Sequence, residues 1–160
     1  EVAEVIHRDL TILNAAEWSW WLAVSPHDYK DGLLYTDWTR PGDDETIFQS
    51  KIFFVLGQYS RFIRPGYTRI EAEIAHGPGG REATVLPSAF LSSDGLTQII
   101  VVLNTDKTAA ARVQISGLQH YNVYRTSPAD GENLQRIDDL PPGSPLVLPP
   151  SSVTTLVSES

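Results

Sequence analysis

The chain has 160 residues, of which 41% are hydrophobic and 20% charged, a balance typical of a globular protein. Its formal net charge of -8 leaves no basic stripe to release counterions, so neither a nucleic acid nor an anionic membrane is expected as a partner. No run approaches the roughly 20 apolar residues needed to cross a bilayer, and the lack of cysteine excludes a disulfide framework and thiolate chemistry.

The first 66 residues predict a helix, a strand and a second helix. Apolar residues spaced by three and four predict an amphipathic helix over residues 1–14. The aromatic and branched run 18–25 predicts a strand buried on both faces, as in a parallel sheet. Ser50 is the expected N-cap of the second helix, which ends at Pro65-Gly66. We expect no second parallel strand here to pair with strand 18–25, so this part should need a companion segment for stability.

Beyond residue 66 the hydrophobic pattern changes from the helical period to a period of two. Short apolar and polar alternations separated by turn residues predict an antiparallel β-sandwich. The predicted strands are 67–74, 83–91, 97–104, 111–115, 121–126, 134–137 and 152–157.

Four tryptophans lie in the first quarter of the chain, at positions 18, 20, 21 and 38. An indole at the end of a strand can offer a flat apolar face to a sugar ring, although large aromatic side chains often serve only in packing. This density of indoles makes carbohydrate the most attractive ligand class.

No motif for a metal, a nucleotide or another cofactor is found, and none is expected. The histidines His7, His27, His76 and His120 lack metal-ligand spacing. The glycine-rich stretch 77–80 lacks the Lys-Ser/Thr ending of a phosphate loop and reads as a turn. The segment that follows the tryptophans contains Asp28 and Asp31, which suit either a carboxylate pair or the capping of a turn, the latter being favoured.

Several segments resemble glycoside hydrolase family 30. They are Trp-Ser-Trp-Trp-Leu-Ala-Val-Ser at 18–25, Asp-Tyr-Lys-Asp-Gly-Leu-Leu-Tyr at 28–35 and Leu-Gly-Gln-Tyr-Ser-Arg-Phe-Ile-Arg-Pro-Gly at 56–66. The third is a specific motif for that family, and its position at the end of a helix before a β-domain also fits. Residues 148–156 resemble the family's last sandwich strand, so the resemblance covers nearly the whole chain.

The resemblance implies an α/β plus all-β fold. Residues 1–66 would be the C-terminal segment of a (β/α)8 TIM barrel, with its last helix, strand and helix at 1–14, 18–25 and 51–64. Residues 67–160 would be the antiparallel β-sandwich domain beside the barrel.

The resemblance also implies a retaining enzyme whose two catalytic glutamates lie upstream, so no catalytic residue is assigned to this chain and we expect it to be inactive alone. Trp20 matches the family's tryptophan that lines the sugar subsite, and Trp21, Tyr29 and Asp31 are weaker candidates on the same rim.

The predicted function is therefore part of a secreted glycoside hydrolase acting on a β-linked polysaccharide. β-1,6-Galactan is the leading substrate, and xylan and β-1,6-glucan are close alternatives. The expected partners are the polysaccharide and the N-terminal part of the barrel, on the same or a companion chain. The rival hypothesis is a non-catalytic carbohydrate-binding or supportive β-sandwich module.

Overall fold

The computed structural model describes residues 1–26, 29–37, 46–75, 84–116 and 119–158. The elements within these ranges are α1 (Val2–Thr11), β1 (Val24–Ser25), β2 (Leu34–Thr36), β3 (Ile47–Gln49), α2 (Lys51–Ser60), β4 (Thr68–Ile70), β5 (Val85–Leu91), β6 (Gln98–Asn104), β7 (Ala111–Gln114), β8 (Tyr121–Thr126), β9 (Gln135–Leu140), β10 (Pro145–Leu148) and β11 (Ser152–Ser158).

The centre of the fold is a six-stranded antiparallel sheet in the order β4-β5-β6-β11-β8-β9. Its central strand β6 is a run of branched apolar residues, and successive side chains point to opposite faces. Ile99, Val101 and Leu103 pack toward the two helices, whereas Ile100 and Val102 pack on the other face. The sheet is therefore buried on both faces.

The second face is covered by a two-stranded antiparallel sheet of β7 and β10, in which Leu146 lies opposite Val113. Leu146 and Leu148 are buried in the same cluster as Ile100. The protein is thus mostly β-sheet with few helices and has a β-sandwich-like domain, as the alternating pattern predicts. Strand β10 was not predicted, because it has only four residues and begins with a proline.

The helices α1 and α2 form a layer on the first face of the large sheet. Ile6 and Tyr59 share a core cluster with Phe90 and Val153. In α2, the Ser50 hydroxyl accepts a hydrogen bond from the Phe53 amide at 3.2 Å, which confirms the predicted N-cap. The helix ends at Ser60, four residues before the predicted end at 64. Burial raises the pKa of the Tyr59 phenol because it penalises the charged form.

The predicted strand over 18–25 is wrong in length. Only Val24–Ser25 is a strand, and residues 18–22 run without regular secondary structure. The expectation that no parallel strand would pair with it is also wrong, since β1 pairs in parallel with β2, Val24 opposite Leu34. Residues 18–22 are held beside the loop 29–32 by hydrogen bonds of the Trp18 and Trp20 indoles and of the Leu22 backbone, as the next subsection describes.

Polar contacts, as well as apolar ones, join α2 to the sandwich. The Thr155 hydroxyl donates to the Gln58 carbonyl at 2.8 Å, and the Lys51 ammonium donates to Asn133 Oδ1 at 2.5 Å. The helix is therefore tied to β11 and to the turn after β8. The division into a barrel segment over 1–66 and a sandwich over 67–160 stays a prediction.

Candidate functional site

The tryptophan segment lies beside the loop that precedes β2. The Leu22 amide donates to the Asp31 carbonyl at 2.6 Å, the Leu33 amide to the Leu22 carbonyl at 2.9 Å, and the Leu34 amide to the Ala23 carbonyl at 3.0 Å. These bonds continue the β1–β2 pairing backward. They bring the indoles and the loop 29–32 to one edge of the small sheet, and we call residues 18–22 and 29–32 the rim.

Trp20 is fixed on both its polar edge and one of its faces. Its Nε1 donates to the Asp31 carbonyl at 2.8 Å, and its ring stacks on Trp18 with centroids 6.0 Å apart and planes inclined by 24°. The Trp18 Nε1 in turn donates to Asp9 Oδ2 in α1 at 2.9 Å. Each indole has one donor, so both are fully satisfied.

The turn at the rim is sterically constrained. Lys30 has a positive φ of 65°, an uncommon backbone conformation for a residue with a side chain. A Cβ at Gly32 would lie 2.8 Å from the Leu34 carbonyl oxygen and 3.0 Å from Ser25 Cβ. The Gly32 amide donates to the Tyr35 hydroxyl at 2.9 Å. Position 32 therefore needs glycine because of close contact.

The four predicted site residues have different surroundings. Trp20 and Asp31 are joined by the hydrogen bond above, and both are half-buried. Trp21 is 77% exposed and Tyr29 is 72% exposed. The Asp31 Oδ1 atom is buried and has no hydrogen-bond partner among the described residues. Trp21 and Tyr29 thus offer accessible rings, whereas Trp20 has one face committed to Trp18. Sugar binding by all four stays a prediction.

Three contributors to the rim were not found from the sequence: Asp9, Trp18 as the support of Trp20, and Tyr35. Asp9 is nine residues from Trp18, and no local spacing rule links a helical aspartate to an indole beyond the helix end. Tyr35 could have been suspected only from its closeness to Gly32.

Several sequence features lie outside the described residues, among them His27, Asp28, Trp38, His76 and the glycine-rich stretch 77–80. In the described part of the chain, no group of three His, Cys, Asp or Glu side chains is arranged to hold a metal ion. The described helices are also too short and too polar for any of them to span a membrane.

A cavity of about 800 Å³ lies behind the rim, between α1, α2 and the edge of the large sheet. Its wall includes Trp18, Tyr59, Phe90 and Arg69. The Tyr59 hydroxyl is buried without a hydrogen-bond partner among the described residues. Trp18 thus lines this cavity and also stacks on Trp20.

The described residues thus form a sandwich-like large sheet with a helical layer, and a small sheet with exposed aromatic rings at one edge. The sequence model of O-glycosyl hydrolase family 30 matches residues 1–35.

Two solved structures match almost the entire chain. A conserved exported protein from Bacteroides fragilis is 29% identical, with a TM-score of 0.73, over 98% of this chain and 32% of its own length. A family 30 endoxylanase from Clostridium papyrosolvens C71 is 25% identical, with a TM-score of 0.70, over 99% of this chain and 37% of its own length. The chain spans about a third of the length of these proteins. The predicted resemblance is thereby confirmed: the chain is similar to the C-terminal part of a glycoside hydrolase family 30 protein.

Proposed function

We propose that this chain is the C-terminal part of a retaining glycoside hydrolase that acts on a β-linked polysaccharide. The observation that carries the proposal is the similarity to a family 30 endoxylanase over 99% of the chain, which includes the rim. The exposed rings of Trp21 and Tyr29, together with Trp20 held by Asp31, supply the apolar faces that sugar rings pack against.

The retaining mechanism indicates which functional groups this chain supplies and which must come from another part of the protein. It requires two carboxyl groups about 5 Å apart, one as nucleophile and one as acid and base. We assign both to a preceding part of the protein that forms the rest of a (β/α)8 barrel, and none to this chain. The rim of this chain then binds the sugar next to the reacting bond and orients it, which raises the rate only through contacts that are better in the transition state.

For the substrate, we keep β-1,6-galactan as the leading choice, with xylan and β-1,6-glucan as alternatives. The similarity to an endoxylanase supports xylan as the first alternative. We also propose that the protein is secreted, in line with its similarity to an exported bacterial protein.

The proposal of a companion barrel segment is supported by apolar side chains that are exposed in this chain. Ile12 and Leu13, just after α1, are exposed, and so are Val24 of β1 and Ile47 and Phe48 of β3. Apolar side chains left in solvent can mark an interaction surface. A companion barrel segment lying on them would bury these side chains and pair the edge of β1.

The test is an activity assay of the 160-residue chain and of a longer protein with the complete barrel, on galactan, xylan and β-1,6-glucan. We expect hydrolysis only by the longer protein, with the anomeric configuration of the new reducing end retained in proton NMR spectra. Reducing sugar released by the 160-residue chain alone, or an inverted product, would refute the proposal.

A further inference from the structure

We propose that Asp9 is a positioning residue that fixes the rim from a distance, through Trp18 and Trp20. Three successive contacts connect the helix to the rim backbone. Asp9 Oδ2 accepts from Trp18 Nε1 at 2.9 Å, Trp18 stacks on Trp20 at 6.0 Å, and Trp20 Nε1 donates to the Asp31 carbonyl at 2.8 Å. We call these contacts the indole relay.

Each contact restricts rotation as well as distance. A hydrogen bond to a carboxylate is shorter and stronger than one between neutral groups, so Asp9 restrains the Trp18 ring at its Nε1 edge. The Trp20 ring is inclined to it by 24°, a stacked arrangement that aromatic pairs favour. With one face covered and its single donor used, Trp20 keeps one orientation.

The base of the relay is rigid. Asp9 belongs to α1, and Ile6 of that helix is 1% exposed in the core beneath it. Asp9 lies in the last turn of α1, where the helix dipole opposes a negative charge. The indole donor of Trp18 offsets this unfavourable placement.

The end of the relay controls the rim backbone. The Asp31 carbonyl accepts from both Trp20 Nε1 and the Leu22 amide, at 2.8 and 2.6 Å, so it ties the loop to the tryptophan segment. When Trp20 turns, the carbonyl loses one of its two donors, and the loop that carries Tyr29 and Asp31 is held by the Leu22 amide alone at this point. The relay therefore preorganises the residues proposed to meet the sugar, and this last step rests on the proposed function.

The experiment uses the 160-residue chain labelled with nitrogen-15, in which each indole gives one Nε1–H resonance. Trp20→Phe assigns the Trp20 signal by its absence. Asp9→Ala should shift the Trp20 indole and Leu22 amide resonances and speed hydrogen exchange of the Trp20 indole about tenfold. Asp9→Asn keeps a carbonyl acceptor and should restore most of the original resonance positions and of the original exchange rate. Glu4→Ala, on the same helix, is the matched control and should leave them unchanged.

Two results would overturn the inference: a shift confined to Trp18, or equal effects of Asp9→Ala and Asp9→Asn. Should Asp9→Ala fail to fold, Trp18→Phe decides, because phenylalanine keeps a smaller aromatic ring for the stack and lacks the donor to Asp9. It should move the Trp20 and Leu22 signals as Asp9→Ala does, and unchanged signals would reject the relay.

A titration with xylohexaose and with a β-1,6-galacto-oligosaccharide then separates the relay from the proposed function. If either sugar binds, Asp9→Ala should weaken it about three- to tenfold and Asp9→Asn should restore the affinity. If Asp9→Ala shifts the Trp20 and Leu22 resonances but neither sugar binds the chain or the full-length protein, the indole relay is supported and the proposed function is refuted.

Discussion

The side-chain amide of Gln58 donates to the hydroxyl of Thr126 at 2.8 Å, although 68 residues separate them in the chain. Gln58 lies in α2 and is fully buried, and Thr126 ends β8 in the large sheet. The Leu134 amide donates to the same hydroxyl at 3.0 Å, so one threonine joins the helix, the strand and the following turn.

Gln58→Ala should therefore lower the free energy of unfolding by about 3 kcal/mol, because it leaves a cavity and removes a buried hydrogen bond. Urea denaturation followed by circular dichroism measures the loss. Gln114→Ala is the matched control, since the side-chain amide of the exposed Gln114 also donates one hydrogen bond, in this case to the Gly143 carbonyl. We expect Gln114→Ala to cost less than about 1 kcal/mol. An equally small loss for Gln58→Ala would contradict the role of the contact between Gln58 and Thr126.

The same contacts predict how hydrogen exchange is distributed along the chain. Because α2 shares a core with β6 and β11, its amides should exchange about as slowly as those of the sheet, whereas residues 16–26 and 29–37, most of which lie outside that core, should exchange faster. Mass spectrometry of peptides after timed exchange resolves these regions. Fast exchange throughout residues 1–66 would mean that the helical layer detaches from the sandwich in solution.

Gly32 offers a test of steric constraint at the rim. Gly32→Ala should cost about 2 kcal/mol, since its Cβ would meet the Leu34 carbonyl oxygen at 2.8 Å. Gly131→Ala is the comparison, because Gly131 has a positive φ of 79° but no atom within 4 Å of the new Cβ. It should cost about 1 kcal/mol from backbone strain alone. Equal unfolding free energies for the two variants would argue against a close contact at position 32.

His7 predicts a pH dependence of stability with a defined sign. The side chain is 7% exposed, and burial first, then the positive charge of Arg8, lowers its pKa from the usual 6.5. The unfolded chain therefore binds this proton more readily than the folded one, so the free energy of unfolding falls as the pH drops from about 6.5 toward the folded pKa.

The His7→Gln variant should lose this part of the pH dependence, while His120→Gln, at an exposed position, should keep it. Thermal denaturation between pH 7.5 and 5 gives the comparison. Identical pH profiles for His7→Gln and the original chain would show that His7 makes no contribution.

The sequence predicted the parts of the fold that depend on local pattern. Ser50 and the helical period of 52–63 indicated α2, and alternation indicated the long strands. The tryptophan segment could not be predicted, because its indoles bond to Asp9 and to the Asp31 carbonyl, which lie nine and eleven residues away. The parallel pairing of β1 and β2 was missed because parallel strands usually need a crossover of a dozen or more residues, and only residues 26–33 connect these two.

The contacts at the rim predict that substitutions of Trp20 and of its neighbour Trp21 have different effects on stability and activity. In the longer enzyme that we propose, Trp20→Ala should lower kcat/KM roughly 100-fold, about 3 kcal/mol of transition-state contact. In the 160-residue chain it should also cost about 1 to 2 kcal/mol of stability, because the hydrogen bond to Asp31 and the stack on Trp18 are lost.

Trp21→Ala should leave stability within about 0.5 kcal/mol, since the ring is 77% exposed. Any loss of kcat/KM at this position therefore reports on contact with the sugar and not on folding. Leu96→Ala is the control for an exposed apolar side chain outside both the rim and the proposed barrel interface, and it should change neither quantity. If Trp20→Ala and Leu96→Ala give equally small losses of kcat/KM while only Trp20→Ala destabilises the chain, the indoles serve packing alone and the rim does not bind the sugar.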